Sequence, residues 1–345
     1  MTRSPETVEV RTSENRFNEA SCRPRLSVDA GAVLGAAIGD AMGHPTEFLH
    51  SFDAIRKKYG PEGVRGFTLF WDRDGERFAP YTDDTQLAEA VLRSLLDARA
   101  EGLDLDGTMR RMSERFVRWA DQPQGGHRGP GSACLAGCRA LAGGVPWAEA
   151  GGAEAGGCGS VMRAYPFGLV FAGDLARAEE WAVAHSKLTH RDPIALAACA
   201  AMAVGMARVV RGETVGLVAE EMIAAARRYS PRTAEMMAAA LAEARSGVGP
   251  EVTLQRLEGW AAHEAISAAL YLFVRHPDDP RAAILEAANT PGDSDSLATL
   301  AGALVGARCG LEALPPEWVA QVERSAELRE LAAAISVHRL ARFGR

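Results

Sequence analysis

The sequence is poor in aromatic residues, in cysteine pairs and in strand signals. Phe, Trp and Tyr make up only 6% of 345 residues, although 47% are hydrophobic. A large core must therefore come from Ala, Leu, Val, Ile and Met. Alternating β-branched runs are almost absent, and no Asn-Gly or Asp-Gly turn joins two such runs, which argues against a sheet protein. Val64 to Phe70 is the best strand candidate. The six cysteines (Cys22, Cys134, Cys138, Cys158, Cys199 and Cys309) form no CxxC pair. That spacing excludes the common zinc and dithiol motifs. Most of them sit among Ala, Gly and Leu, as buried thiols do, and a reduced, cytoplasmic setting is expected.

Positive charge is also in deficit. Lys and Arg number 38 against 45 Asp and Glu, a net charge of −7. General nucleic-acid binding is not expected from such a surface. No uninterrupted apolar stretch reads as a bilayer span, so no membrane association is expected. The start of the chain, Met1 to Arg25, lacks a signal-peptide core and is rich in Arg, Glu and Ser. Residues 1–27 are read as a flexible tail and 28–345 as a single domain, since no linker or repeat divides the rest. Oligomeric state carries no signal.

Helical periodicity fills that domain. Gly31, Gly35 and Gly39 recur every four residues in an Ala/Ile/Val run, which lets a neighbouring helix come close. Gln86–Arg99 carries Leu87, Val91 and Leu95 on one face. Asp106–Ala120 places Met109, Met112, Phe116 and Trp119 at helical spacing. Ile194–Val210 is small and apolar throughout, as a buried helix is. Further helices are predicted at Val215–Tyr229, Arg232–Ser246, His263–Val274, Asp279–Asn289, Ser296–Gly310 and Pro316–Phe343. The expected fold is all-α.

Two acidic clusters lie more than two hundred residues apart, each at the start of a predicted helix: Thr82-Asp83-Asp84-Thr85 and Asp293-Ser294-Asp295-Ser296. Helix capping explains one such residue per helix, since Ser, Thr and Asp cap N-termini. It does not call for two carboxylates at each. Brought together, four carboxylates with neighbouring hydroxyls form an all-oxygen set suited to Mg²⁺, Mn²⁺ or Ca²⁺. Repulsion between them would favour cations in their midst. An EF-hand is excluded, because its sixth and twelfth positions hold Ala298 and Leu304.

Two glycine-rich loops interrupt the helices, Gln124–Ser132 and Gly151–Arg163. The second ends Gly156-Gly157-Cys158-Gly159-Ser160-Val161-Met162-Arg163. It is neither a Walker A loop nor a Rossmann fingerprint. It serves either as a helix–helix turn or as a cradle of backbone N–H groups for phosphate. His190 heads a buried helix and is either a core histidine or a ligand contact. Glu47, in a mostly small and apolar stretch, is either a surface-turn residue or a buried carboxylate needing a partner, as is Asp40. Cys134 and Cys158 show no readable Cys–His–acid arrangement.

These segments together resemble the ADP-ribosylglycohydrolase family, dinitrogenase reductase-activating glycohydrolases included. The likeness runs through Gly35–Gly43 with Glu47-Phe48, Tyr81–Thr85, Gly157–Arg163 with Pro166, Leu188-Thr189-His190 and Gly292–Ser296. The resemblance implies a compact orthogonal multi-helix bundle with two divalent cations in a cleft, Mg²⁺ first and Mn²⁺ second. It implies metal ligation by Thr82, Asp83, Asp84, Asp293, Asp295 and Ser296. Catalytic carboxylates would be Glu47 and Asp84. Gly157, Cys158, Gly159, Ser160, Met162, Arg163 and His190 would meet ADP-ribose, with Arg163 either on the phosphate or bracing the loop. Two departures stand out. Cys158 replaces a common Asn, and Gly129-Pro130-Gly131-Ser132 stands where relatives often read Asp-Ile-Gly-Asn-Thr.

The expected activity is hydrolysis of an N- or O-glycosidic bond to ADP-ribose, on a modified protein or small molecule. A water activated by two metals would attack the anomeric carbon, with a carboxylate moving the proton. The other readings are a non-catalytic ADP-ribose-binding protein and a two-metal phosphoesterase.

Overall fold

A computed structural model describes residues 25–73 and 75–340. The predicted tail, 1–27, lies outside the described residues up to position 24, and the first helix already begins at Arg25. Seventeen α-helices and one two-stranded hairpin form among the described residues. The all-α expectation holds.

The helix Arg25–Gly43 lies along the helix Ser294–Cys309 at backbone contact. A side-chain carbon added at Gly35 would strike the carbonyl of Gly302, and one at Gly31 that of Gly306. The four-residue glycine spacing is thus used for close approach between elements far apart in sequence. Pro193–Val210 forms a second buried axis, with Leu175–Ser186, Val215–Arg227 and Ala262–Arg275 packed on it. Its wall is almost wholly Ala, Cys, Met and Val, each essentially inaccessible. The apolar surface removed in this way, at about 25 cal/mol per Å², is the main favourable term for such a core.

Three readings from the sequence are corrected. Val64–Phe70 is not a strand; Val64 instead exchanges backbone hydrogen bonds with the Asn289 side chain, at 2.7 and 2.8 Å. The strands are Trp71–Arg73 and Glu76–Phe78, paired Trp71 to Phe78 around a turn that includes Gly75 at φ +87°. The long C-terminal helix is two helices, Pro316–Gln321 and Ser325–Leu340, broken where Arg324 adopts φ +54°. Leu26–Thr46 and Pro193–Val210 are long and apolar enough to cross a membrane, against the sequence reading. Both are mostly buried inside the fold, as core helices are.

Candidate active site

The helix Asp83–Glu101 begins at the first acidic cluster. Thr82 is its N-cap, its hydroxyl accepting from the Asp84 amide at 3.3 Å. The capping reading is therefore true of Thr82 and leaves the two carboxylates unused. Asp40, fully buried on the first long helix, fixes this start from the side. It accepts from the Thr82 amide at 2.8 Å, the Thr85 amide at 2.9 Å and the Thr85 hydroxyl at 2.6 Å. One oxygen of Asp84 is buried with no partner.

The second cluster opens the helix Ser294–Cys309. Asp293 occupies the N-cap position, yet its side chain makes no capping bond. It accepts instead from the Cys158 thiol at 2.6 Å. The same thiol lies 3.4 Å from the Ser296 hydroxyl. Gly43 is packed directly against Ser294 and Asp295, so the glycine contact between the two long helices carries Asp40 and Asp295 to one place.

The clusters do meet. Burial pushes Asp83 up to about 8, with Asp40, Glu47 and Asp293 adding repulsion and Arg163 opposing it. Burial likewise lifts Asp293 to about 6. Asp84 and Asp295 are driven well above the usual carboxylate range by burial, then by Asp40 and Glu47 respectively. Carboxylates crowded in a dry site, one with an orphaned oxygen, form a set that a hard cation would satisfy. Glu47 sits at the edge, with its carboxylate 3.3 Å from Nδ1 of His44. Donor atoms of His44, Glu47 and Asp295 lie within 4.8 Å of one another. His44 went unread in the sequence; its only signal was its place three residues before Glu47.

The Gly151–Arg163 loop is pinned at several points. The Gly151 amide donates to Lys187, and the Cys158 amide donates to the Trp260 carbonyl at 3.1 Å. Cys158–Ser160 forms a 3-10 turn beside the second acidic cluster. Its first amides have no partner within the turn. His190 is buried with Nδ1 2.7 Å from the Thr189 hydroxyl, and its ring packs against Gly157 and Gly159. Burial, then Arg163, lowers it to about 3, so it is neutral. Arg163 does not face the cleft. It is fully buried, donates to the Gly159 carbonyl and to Thr189 Oγ1, and lies over the Phe116 ring. Ser160 and Met162 also turn inward, Ser160 accepting from Ser186 at 2.9 Å. Within the loop, the Cys158 thiol meets Asp293 and Ser296, and the Met162 sulfur accepts from the Ser296 hydroxyl at 3.9 Å.

The Gln124–Ser132 loop supplies a strut. The buried Arg128 donates to the Tyr81 carbonyl at 2.8 Å and to both oxygens of Glu323 at 2.6 and 3.0 Å. Its own carbonyl accepts from the Asp83 amide. No spacing in the sequence links positions 128 and 323. At the rim, Phe48 and Trp260 stack with ring centres 5.3 Å apart, and Phe48 holds φ +66°.

With that geometry in place, four likenesses bear on it. The family model described as ADP-ribosylglycohydrolase matches residues 28–343. The chain is 27% identical to the ADP-ribosyl-[dinitrogen reductase] glycohydrolase of Rhodospirillum rubrum, covering 86% of this chain and 90% of that one. It is 30% identical to the ADP-ribosylarginine hydrolase Tri1 of Pseudomonas putida, over 88% and 76%. A solved structure titled "ADP-ribosylglycohydrolase-related protein complex" superposes with a TM-score of 0.67 at 25% identity, covering 91% of this chain and 99% of that one.

Proposed function

Since the chain belongs to the ADP-ribosylglycohydrolase family and is a hydrolase of that kind, we propose that it releases ADP-ribose from an N- or O-glycosidic bond on a modified protein or small molecule, using two divalent cations. The observation that carries this reading is Asp293. It sits at a helix start, forgoes the cap, and accepts from the Cys158 thiol, close enough to Asp83 and Asp84 to add to the repulsion between the clusters.

Thr82, Asp83, Asp84, Asp293, Asp295 and Ser296 would hold the cations, Mg²⁺ or Mn²⁺. Cations bound there would supply Lewis-acid charge, aligning ribose hydroxyls and lowering the pKa of a water. The protein's own groups do the rest. Asp40 holds the first cluster by its backbone and hydroxyl donors. Glu47, at the edge beside His44, takes a proton from the attacking water or gives one to the leaving group. The Gly157–Gly159 backbone would meet the diphosphate, with Arg163 bracing it from behind and neutral His190 closing that side. We place the protein in a reduced, cytoplasmic compartment.

The test is incubation with ADP-ribosylated arginine and serine peptides plus Mg²⁺ or Mn²⁺, products identified by mass. Free ADP-ribose and unmodified peptide are expected from at least one. Asp293→Asn keeps volume and should cut turnover tenfold or more, ~1.4 kcal/mol per tenfold. Intact activity in Asp293→Asn, or ADP-ribose bound but never released from any substrate, would sink the reading.

A further inference from the structure

A second cavity, of about 270 Å³, opens on the other side of the helix Asp83–Glu101, between it and the helix Leu105–Asp121. Four arginines line it: Arg93, Arg115, Arg118 and Arg324. Glu89 is the one carboxylate in its wall. It accepts from Arg93 at 2.7 and 2.9 Å and from Arg324 at 2.8 and 3.2 Å. Just outside, Asp97 accepts from Arg115 and Glu327 from Arg324. After those pairings positive charge is still in excess. Arg118 has no carboxylate partner among the described residues. Arg115 and Arg324 each keep a buried Nε–H with no acceptor. Buried donors without acceptors are rare in folded proteins. Arg324 is moreover held at φ +54°, a conformation costly for a long side chain and kept only where the surroundings enforce it.

We propose that this cavity binds a small molecule through its phosphoryl group. Guanidinium forks match phosphate oxygens better than any other side chain, and an acidic protein of net charge −7 has no general reason to gather four of them around a hollow. The volume lies near the lower end of small-molecule sites, enough for a phosphate and a compact body attached to it. The site is separate from the carboxylate cleft but touches its support. Gln86, in the cavity wall, follows Thr85 on the same helix and donates to the carbonyls of Gln124 and Gly126, at the start of the Arg128 loop.

Calorimetry on the full chain in EDTA, which leaves the carboxylate cleft without the cations that would hold a ribose phosphate there, would use ribose 5-phosphate, inorganic phosphate and, as a control, ribose. Saturable heat is expected from ribose 5-phosphate and none from ribose. Equal affinity for inorganic phosphate would mean the oxyanion alone is read; weaker affinity would mean the body is read too. Arg118 is exposed, so Arg118→Glu should fold and melt as the parent does. It should weaken ribose 5-phosphate at least tenfold. Asp295→Asn, in the other cleft, should bind it unchanged. Undiminished binding in Arg118→Glu, loss in Asp295→Asn, or no saturable binding by the parent chain would overturn the proposal.

Discussion

Asp83 and Asp293 show how far residue type reaches. Two carboxylates beside each helix start exceeded what capping uses, and that surplus was visible in the sequence. The partner of Asp293 was not, because a thiol 135 positions away gives no local signal. The inward turn of Arg163 was open in the sequence, since a guanidinium after a glycine loop serves phosphate or bracing equally well. The raised carboxylates carry a pH consequence. Burial pushes the folded Asp83 up to about 8, against 3.8 for a free aspartate, so in metal-free protein it favours folding while protonated. That stability is full below the unfolded value and is lost as pH rises through the folded one. His190 is lowered to about 3 and acts the other way, but only below its unfolded value of 6.5. Between pH 6.5 and 8 the carboxylates therefore dominate among these groups. Melts in EDTA should show the midpoint falling across that window. Added Mg²⁺ or Mn²⁺ should raise it most at pH 8, because the cation competes with the proton. A metal-induced shift that is largest at pH 6.5 would contradict the carboxylate assignment.

At the scale of elements, the helices were legible where periodicity was strong and uninterrupted. Asp83–Glu101 and Pro193–Val210 match the predicted Gln86–Arg99 and Ile194–Val210 to within a few residues. The break at Val322–Arg324 was not legible, since it rests on the backbone of one arginine tied to Glu89 and Tyr81 across the fold. The hairpin was missed for another reason: the sequence does read Asp-Gly at positions 74 and 75, but its strands are three residues each and not alternating in hydrophobicity. The glycine stripe yielded close packing as an expectation but not the partner helix. Its energetics can be tested by sign. Alanine in a helix interior gains about 0.5–1 kcal/mol over glycine. At Gly35 the added methyl would run into the Gly302 carbonyl, a backbone atom that cannot step aside. Overpacking of that kind costs about 1–3 kcal/mol, so Gly35→Ala should be destabilising. At Gly216, on the helix Val215–Arg227, the added carbon meets only Arg245 at 3.9 Å, so Gly216→Ala should be stabilising. Thermal or urea melts of the two variants should move in opposite directions. Gly35→Ala as stable as the parent would mean that the two long helices have slack between them.

Over the whole molecule, the site depends on contacts that close the chain on itself. Residues 40, 83, 158 and 293 meet only when the first long helix, the middle loop and the late helix are packed together, so the cleft forms with the fold or not at all. The Arg128–Glu323 pair extends this dependence to the C-terminal segment. Arg128 sits between the Trp71 and Tyr81 rings, at 5.0 and 5.1 Å, and Glu323 also receives Arg73 at 2.6 Å. Hairpin, middle loop and C-terminal segment are thereby joined behind Tyr81-Thr82-Asp83. Removing one partner of a buried pair leaves the other charge uncompensated, a loss of about 3–5 kcal/mol, so Glu323→Gln should lower stability strongly. Arg128→Lys tests the geometry rather than the charge. Lysine keeps the positive charge but cannot reach both carboxylate oxygens and the Tyr81 carbonyl as a planar fork does. The variant should remain folded, and its affinity for Mn²⁺ by calorimetry should fall, because the Asp83 backbone loses its support. The loss should exceed what is seen in Arg281→Lys, whose ion pair with Glu317 is half-exposed. Unchanged Mn²⁺ affinity in Arg128→Lys would show that Asp40 alone fixes the first cluster and that the strut serves only stability.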